Sequence, residues 1–201
     1  MHPMEFKKEK VGTGRFTHLI LKNSEIIVDI GFDENPRFQK LLNDPEYTSY
    51  VLYPGDETID LSMESAAVAP KAQYFVIDGT WPCAKKMMKL TTSLHTLPRV
   101  SFKTQRKSEF TVKHQPLEGC LSTVESIHHV LLDLERLGFE KLEGKQENLM
   151  DVFRKTVSQA LALAQDPAQN GYRRKAYRPP SERKISKKWE GRLLFFKGSE
   201  C

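Results

Sequence analysis

Residues 71–90, KAQYFVIDGTWPCAKKMMKL, set the fold class. An apolar run, Tyr74-Phe75-Val76-Ile77, stops at Asp78-Gly79-Thr80-Trp81-Pro82, and a segment bearing Lys85, Lys86 and Lys89 follows at once. A short, continuous apolar run closed by turn residues reads as a buried strand, placed here over 71–79. Residues 80–90 read as a helix, with Thr80 at the N-cap and Pro82 in the first turn, where a missing N–H costs little. Working outward, SEIIVDIG (24–31) and SYVLYPG (49–55) read as further strands and NPRFQKLLND (35–44) as a short helix. LHTLPRVSFK (94–103) turns at Leu97-Pro98 and enters another strand. Short apolar strands separated by helices predict an α/β domain with a mainly parallel sheet flanked by helices.

Downstream, residues 120–138 give the clearest helix. Ser122 and Glu125 stand in S-x-x-E capping-box register, Val124, Ile127, Leu131, Leu134 and Leu137 recur at helical spacing, and Gly138 ends the segment. A second amphipathic helix is expected over 146–165, with Leu149, Val152, Val157, Ala160 and Leu163 near its buried face. After residue 170 the composition shifts to Arg, Lys, Pro and Ser. The expected division is therefore a folded body, 1–170, and a basic C-terminal extension, 171–201.

The chain has 201 residues, 39% hydrophobic and 28% charged, which suits one charge-rich domain with a sizeable core. No apolar run approaches the roughly 18 residues that span a bilayer. The start, MHPMEFKKEK, has no apolar stretch behind its charges, so no secretory signal is expected. Three scattered cysteines (Cys83, Cys120, Cys201) suit a reducing, cytoplasmic setting, and without CxxC or HxxxH spacing no structural metal is expected. The net charge of +5 is uneven: residues 171–201 carry ten Lys or Arg against three Glu, leaving residues 1–170 slightly acidic. Such a segment reads as a polyanion-binding tail, or as a solvated tail that confers solubility.

In parallel sheets the ligand crevice lies where strands end and helices begin. Asp78 to Trp81 occupies such a point, although a turn-capping Asp and a core Trp fit the same spacing. Leu121-Ser122-Thr123 is a second point, where free N–H groups at a helix start can hold a carboxylate or phosphate. There the capping box alone accounts for Ser122 and Glu125. The chain lacks GxGxxG and GxxxxGK[ST], and no Ser/His/Asp or Cys/His set stands out.

Asp78-Gly79-Thr80-Trp81 resembles the D-x-T-W signature of the DTW-domain family. Neighbouring blocks are similar too: Thr13-Gly14-Arg15, Asn43-Asp44-Pro45, Tyr53-Pro54-Gly55, Ala84-Lys85-Lys86-Met87, Leu97-Pro98-Arg99, Arg106 ahead of Pro116, and Leu121-Ser122-Thr123-Val124-Glu125. They stand in family order over roughly residues 2–165, and that ordered set is far more specific than D-x-T-W alone. The resemblance implies a tRNA-uridine aminocarboxypropyltransferase. Such an enzyme moves the 3-amino-3-carboxypropyl group of S-adenosylmethionine (SAM) to N3 of a tRNA uridine and releases 5′-methylthioadenosine. It also implies a SPOUT-like domain with a C-terminal knot, one of the rare exceptions to unknotted folds.

Within that resemblance Asp78 is the expected proton acceptor, because a uridine imide is a poor nucleophile until it loses its proton. Partial burial beside Trp81 would make the carboxylate a better base. The donor pocket is expected from Tyr53, Pro54, Thr80, Trp81, Leu97, Pro98, Leu121, Ser122, Thr123 and Glu125. Leu97 and Pro98 would offer an apolar rest for adenine, and the helix start at Ser122-Thr123 a seat for the amino-acid carboxylate. Trp81 either stacks on a base or packs beneath the site. Phosphate contacts are expected from Arg15, Lys85, Lys86, Arg99, Lys103, Arg106, Arg173 and Arg174, with Tyr172 and Tyr177 available for stacking. Lys85 and Lys86 read equally well as an exposed helix face. The similarity departs at the amino end, where many members carry a Cys-rich block that implies a metal site; here the sequence runs from Met1-His2-Pro3. Two other functional classes fit the same residues: a SPOUT-type RNA methyltransferase and a non-catalytic RNA-binding protein.

Overall fold

The computed structural model describes residues 1–8, 12–55, 57–104, 106–112 and 120–165. Two short helices, α1 (Pro3–Lys8) and α2 (Thr13–Ile20), lead to α3 (Pro36–Leu42) and strand β1 (Thr48–Leu52). Strands β2 (Thr58–Asp60) and β3 (Ala72–Val76) follow, then α4 (Trp81–Leu90), a 3₁₀ turn (Thr92–His95) and β4 (Arg99–Ser101). Helices α5 (Thr123–Arg136) and α6 (Glu147–Gln165) complete the described fold. No helix among the described residues is long and apolar enough to cross a membrane.

The four strands form one wholly parallel sheet in the order β2-β4-β1-β3. Thr48 to Leu52 of β1 pair in step with Ala72 to Val76 of β3, and Val51 and Leu52 pair with Arg99 and Val100 of β4. Period-2 alternation then sorts the side chains between two cores. Val51 and Phe75 face Phe38, Met87, Met88 and Leu94, on the side covered by α3 and α4. Tyr50, Tyr74 and Val100 face Val130 and Leu134 of α5. A third cluster, Phe110, Val124, Leu149, Met150, Phe153 and Val157, joins α5 to α6.

Helix boundaries follow their local chemistry. Asn35 caps α3, its side chain accepting from the backbone N–H groups of Arg37 and Phe38, and Pro36 opens the helix. Thr80 is the N-cap residue of α4, with Pro82 in its first turn, but its hydroxyl makes no capping hydrogen bond.

Three expectations are corrected. Residues 24–31 are not a strand: the amide of Asp29 goes to the Met1 carbonyl and that of Ile30 to the Asp29 carboxylate. Ile27 and Ile30 still pack on the α3/α4 core, so the apolar run signals burial without strand pairing. Strand β2 was not expected, because its three residues, TID, carry no apolar run. The buried face of α6 is Leu149, Met150, Phe153, Val157 and Leu161, whereas Val152 and Leu163 are exposed. The basic extension, 171–201, lies outside the described residues.

Candidate active site at the carboxyl edge of the sheet

Asp78 lies just past the carboxyl end of β3, two residues beyond Val76. Three helix amino ends meet around it. Helix α4 begins at Trp81, in the same turn of chain. From α5, the Thr123 hydroxyl donates to Asp78 Oδ1 at 2.6 Å. From α2, the backbone of Gly14 packs directly on the carboxylate: a β-carbon at position 14 would stand 2.7 Å from Cγ, 2.8 Å from Oδ2 and 3.0 Å from Oδ1 of Asp78. Helix amino ends carry partial positive charge, so this is a seat for an anion, and Asp78 fills it. Oδ2 accepts no hydrogen bond from any described residue. The chain ahead of α1 closes the site from below, with the His2 amide donating to the Asp78 carbonyl at 2.9 Å.

The start of α5 is held by a buried carboxylate. Glu125, 4% exposed, accepts from the Ser122 amide (2.7 Å) and the Ser122 hydroxyl (2.5 Å), and the Ser122 side chain in turn accepts from the Glu125 amide, which completes the reciprocal capping box. It also accepts from the Ser108 hydroxyl (2.8 Å) and the Glu109 amide (2.6 Å), tying the segment after β4 to the helix start. Four donors occupy its two oxygens, so Glu125 acts here as a structural pin. Ser122 is buried with it.

A second group sits beside the link that leaves β1. Arg99, the first residue of β4, lays its guanidinium against Gly55: a β-carbon there would stand 2.5 Å from Nη1. The same guanidinium lies 5.9 Å from the Tyr53 ring centre. Burial pushes the Tyr53 phenol up, and the charge on Arg99 opposes that shift. Arg99 makes no hydrogen bond to a described residue. Strand alternation puts Tyr53 and Arg99 on the α3/α4 face, whereas Asp78 turns towards α5.

The remaining expected residues are placed as follows. Pro54 follows Tyr53 in the same link. Leu97 packs in the α3/α4 core with Tyr53, and the Pro98 carbonyl accepts from the Val51 amide at 3.1 Å. Both lie at the amino side of β4, not at its carboxyl edge. Thr80 is exposed, and Trp81 and Leu121 are half-buried at the starts of α4 and α5. Lys85 and Lys86 are exposed on α4. Lys103, 77% exposed, lies 3.6 Å from Asp60 just past β4, and Arg106 is exposed nearby. Beneath them Phe102 stacks on His129 of α5, rings 5.1 Å apart; burial, then the charges of Arg106 and His128, push that imidazole below its usual value. Arg15 lies over the Phe6 ring at 4.4 Å and donates to the Phe6 carbonyl. Arg173 and Arg174 lie outside the described residues.

Gly14 was quoted in the Thr13-Gly14-Arg15 block but given no role, and nothing local reveals one; its meaning comes from contact with a residue 64 positions away. Gly14→Ala separates stability from geometry. Alanine is favoured over glycine in a helix by about 1 kcal/mol, so thermal unfolding should shift little. The new methyl must displace the Asp78 carboxylate, and a misplacement approaching 1 Å costs on the order of 100-fold in rate. The expected result is a folded protein with at least about tenfold lower activity, read by unfolding and turnover on one preparation.

An α/β chain with a parallel sheet, whose carboxyl edge presents a carboxylate among three helix starts, has the layout of a sheet-edge enzyme site. The DTW-domain model matches residues 1–161, and the chain belongs to that family. It is 30% identical over 139 residues to a Drosophila melanogaster protein named tRNA-uridine aminocarboxypropyltransferase 2, covering 67% of this chain and 54% of that one. Proteins of the same name from Mus musculus and Macaca fascicularis are 37% identical over 89 residues and 33% over 88, each covering 43% of this chain and 29% of the relative. The chain thus spans about half, or less, of the length of the curated relatives it matches. No solved structure matches the chain.

Proposed function

We propose that this chain transfers a 3-amino-3-carboxypropyl group from SAM to N3 of a uridine in tRNA, with Asp78 as the proton acceptor. The observation that carries the reading is the Asp78 carboxylate, pinned through Oδ1, with Oδ2 accepting no hydrogen bond from the described residues, at the carboxyl edge of a parallel sheet in a DTW domain. The names of the relatives support the same group and the same class of acceptor.

Asp78 Oδ2 takes the N3 proton of the uridine, which lets the ring nitrogen act as nucleophile. The donor supplies a γ-carbon activated by a sulfonium, whose C–S electron pair departs with methylthioadenosine as a neutral thioether. Transfer of the larger arm, instead of the methyl group, requires that this γ-carbon face the uridine, so orientation of the donor is decisive. The residues present suit such a donor. Tyr53 and Pro54 supply aromatic and apolar surface for the nucleoside, with Leu97 and Pro98 supporting Tyr53 from the amino side of β4, and Thr80, Trp81 and Leu121 wall the side nearer Asp78. Ser122, Thr123 and Glu125 shape the wall, but their polar groups are engaged with Asp78 and with one another. Arg99, half-buried beside Tyr53 and making no hydrogen bond to a described residue, is a cation for an anion on that face, a tRNA phosphate or the donor carboxylate.

For tRNA, Lys85, Lys86, Lys103 and Arg106 are exposed cations flanking the sheet edge, Arg15 stands beside the site, and Arg173 and Arg174 add to the basic extension. Loop uridines are the cheapest targets, because their Watson–Crick edge is already free. A cytoplasmic setting fits both substrates.

The sheet order also supports a SPOUT-like knot. Strand β4 lies between β1 and β2, although residues 53–57 alone connect those two strands. An interlaced order of this kind, with Gly55 packed against Arg99 of β4, is what a knotted sheet needs. The body 1–170 is then the catalytic domain and 171–201 its extension.

Nucleoside mass spectrometry of unmodified tRNA, incubated with the protein and SAM, tests the function. The account expects one uridine to gain the aminocarboxypropyl mass with its Watson–Crick edge blocked. A methylated nucleoside, or tRNA binding with no product, would replace it with one of the other two classes.

A further inference from the structure

We propose that Thr123 is the positioning residue for Asp78, its hydroxyl serving that carboxylate and not the donor; this rests on reading Asp78 as the proton acceptor. The two residues are 45 apart in sequence, yet Thr123 Oγ1 donates to Asp78 Oδ1 at 2.6 Å, a short charge-assisted bond. A threonine hydroxyl has one proton to give. Given to Asp78, it is not available to a donor carboxylate.

An aspartate carboxylate rotates readily about its last bond, because that torsion is broad and roughly two-fold. Left alone, its two oxygens exchange places and neither is aimed. Here Thr123 fixes Oδ1 to α5, while the Gly14 backbone packs against the whole carboxylate, nearest Cγ and Oδ2. Together they restrict rotation of the group and keep the two oxygens distinct. The anchor is itself rigid: Thr123 is the first residue of α5, and the N-cap Ser122 beside it is locked by Glu125 to the segment at Ser108 and Glu109. A chain of support thus runs from a buried carboxylate, through a helix start, to the reacting one.

The test compares Thr123→Val, which keeps the branched shape and loses the hydroxyl, with Thr123→Ser, which keeps the hydroxyl. Valine should lower kcat by about 10–100-fold and leave KM for SAM within about twofold, and serine should recover most of the rate. In an Asp78→Asn background the valine change should cost nothing more. A tenfold rise in KM for SAM with kcat retained would make Thr123 a donor-binding residue and overturn the proposal. So would serine proving as poor as valine. If the unaltered chain transfers nothing, the functional reading falls alone, and unfolding of Thr123→Val, Asp78→Ala (which removes the acceptor oxygen) and the double variant still decides the pairing. Losses smaller than additive keep the pair; strictly additive losses remove it.

Discussion

Asp78→Asn should lower the rate of aminocarboxypropyl transfer by roughly 10²–10⁴-fold, the usual worth of a positioned general base. Asparagine keeps the size of the side chain and an oxygen for the Thr123 hydroxyl, so the contacts with α5 and Gly14 survive. What it loses is the ability to take a proton. Affinity for SAM, measured by calorimetry, and the unfolding midpoint should therefore stay near those of the unaltered protein. Turnover retained within about threefold would take Asp78 out of the proton transfer and leave it a turn residue. A large loss of SAM affinity would make it a donor contact instead.

Glu125→Ala should be the most destabilising single change near the site. The carboxylate is buried, and its removal strands the Ser122 amide and hydroxyl, the Ser108 hydroxyl and the Glu109 amide. Each buried donor left without a partner costs about 1–3 kcal/mol, and some will find water, so the expected loss is about 3 kcal/mol or more. For a domain with total stability of roughly 5–15 kcal/mol that is a large fraction. Urea unfolding measures it directly. A loss below about 1 kcal/mol would mean that the segment after β4 does not depend on this pin. Because Thr123 rides on the same helix start, activity should fall along with stability, in contrast to Asp78→Asn, where only activity falls.

The parts of the site carried by one continuous segment were legible in the sequence. The strand that leads to Asp78, which ends at Val76, and the capping box of Ser122 and Glu125 both follow from local spacing, and both are present. A mainly parallel sheet was likewise expected from short apolar runs between helices, and the described strands all pair in parallel. Contacts between distant segments were not legible. Nothing within Thr13-Gly14-Arg15 says that a glycine is needed to make room for a carboxylate far along the chain. Nor does Thr123 announce Asp78 as its partner: a hydroxyl at a helix start suggests an anion, and only the fold supplies one from inside the protein. Arg99 was read as a phosphate contact from its charge alone; that it stands half-buried beside Tyr53 and Gly55 comes only from the fold. The apolar run at 24–31 failed for the opposite reason, since hydrophobicity reports burial, while pairing depends on where the amides go.

The by-product released from SAM tests the central claim most directly, because it reports which carbon–sulfur bond breaks. With purified protein and unmodified tRNA the account predicts 5′-methylthioadenosine, released in step with modified uridine and lost in Asp78→Asn. Release of S-adenosylhomocysteine, or of no nucleoside product at all, would contradict it.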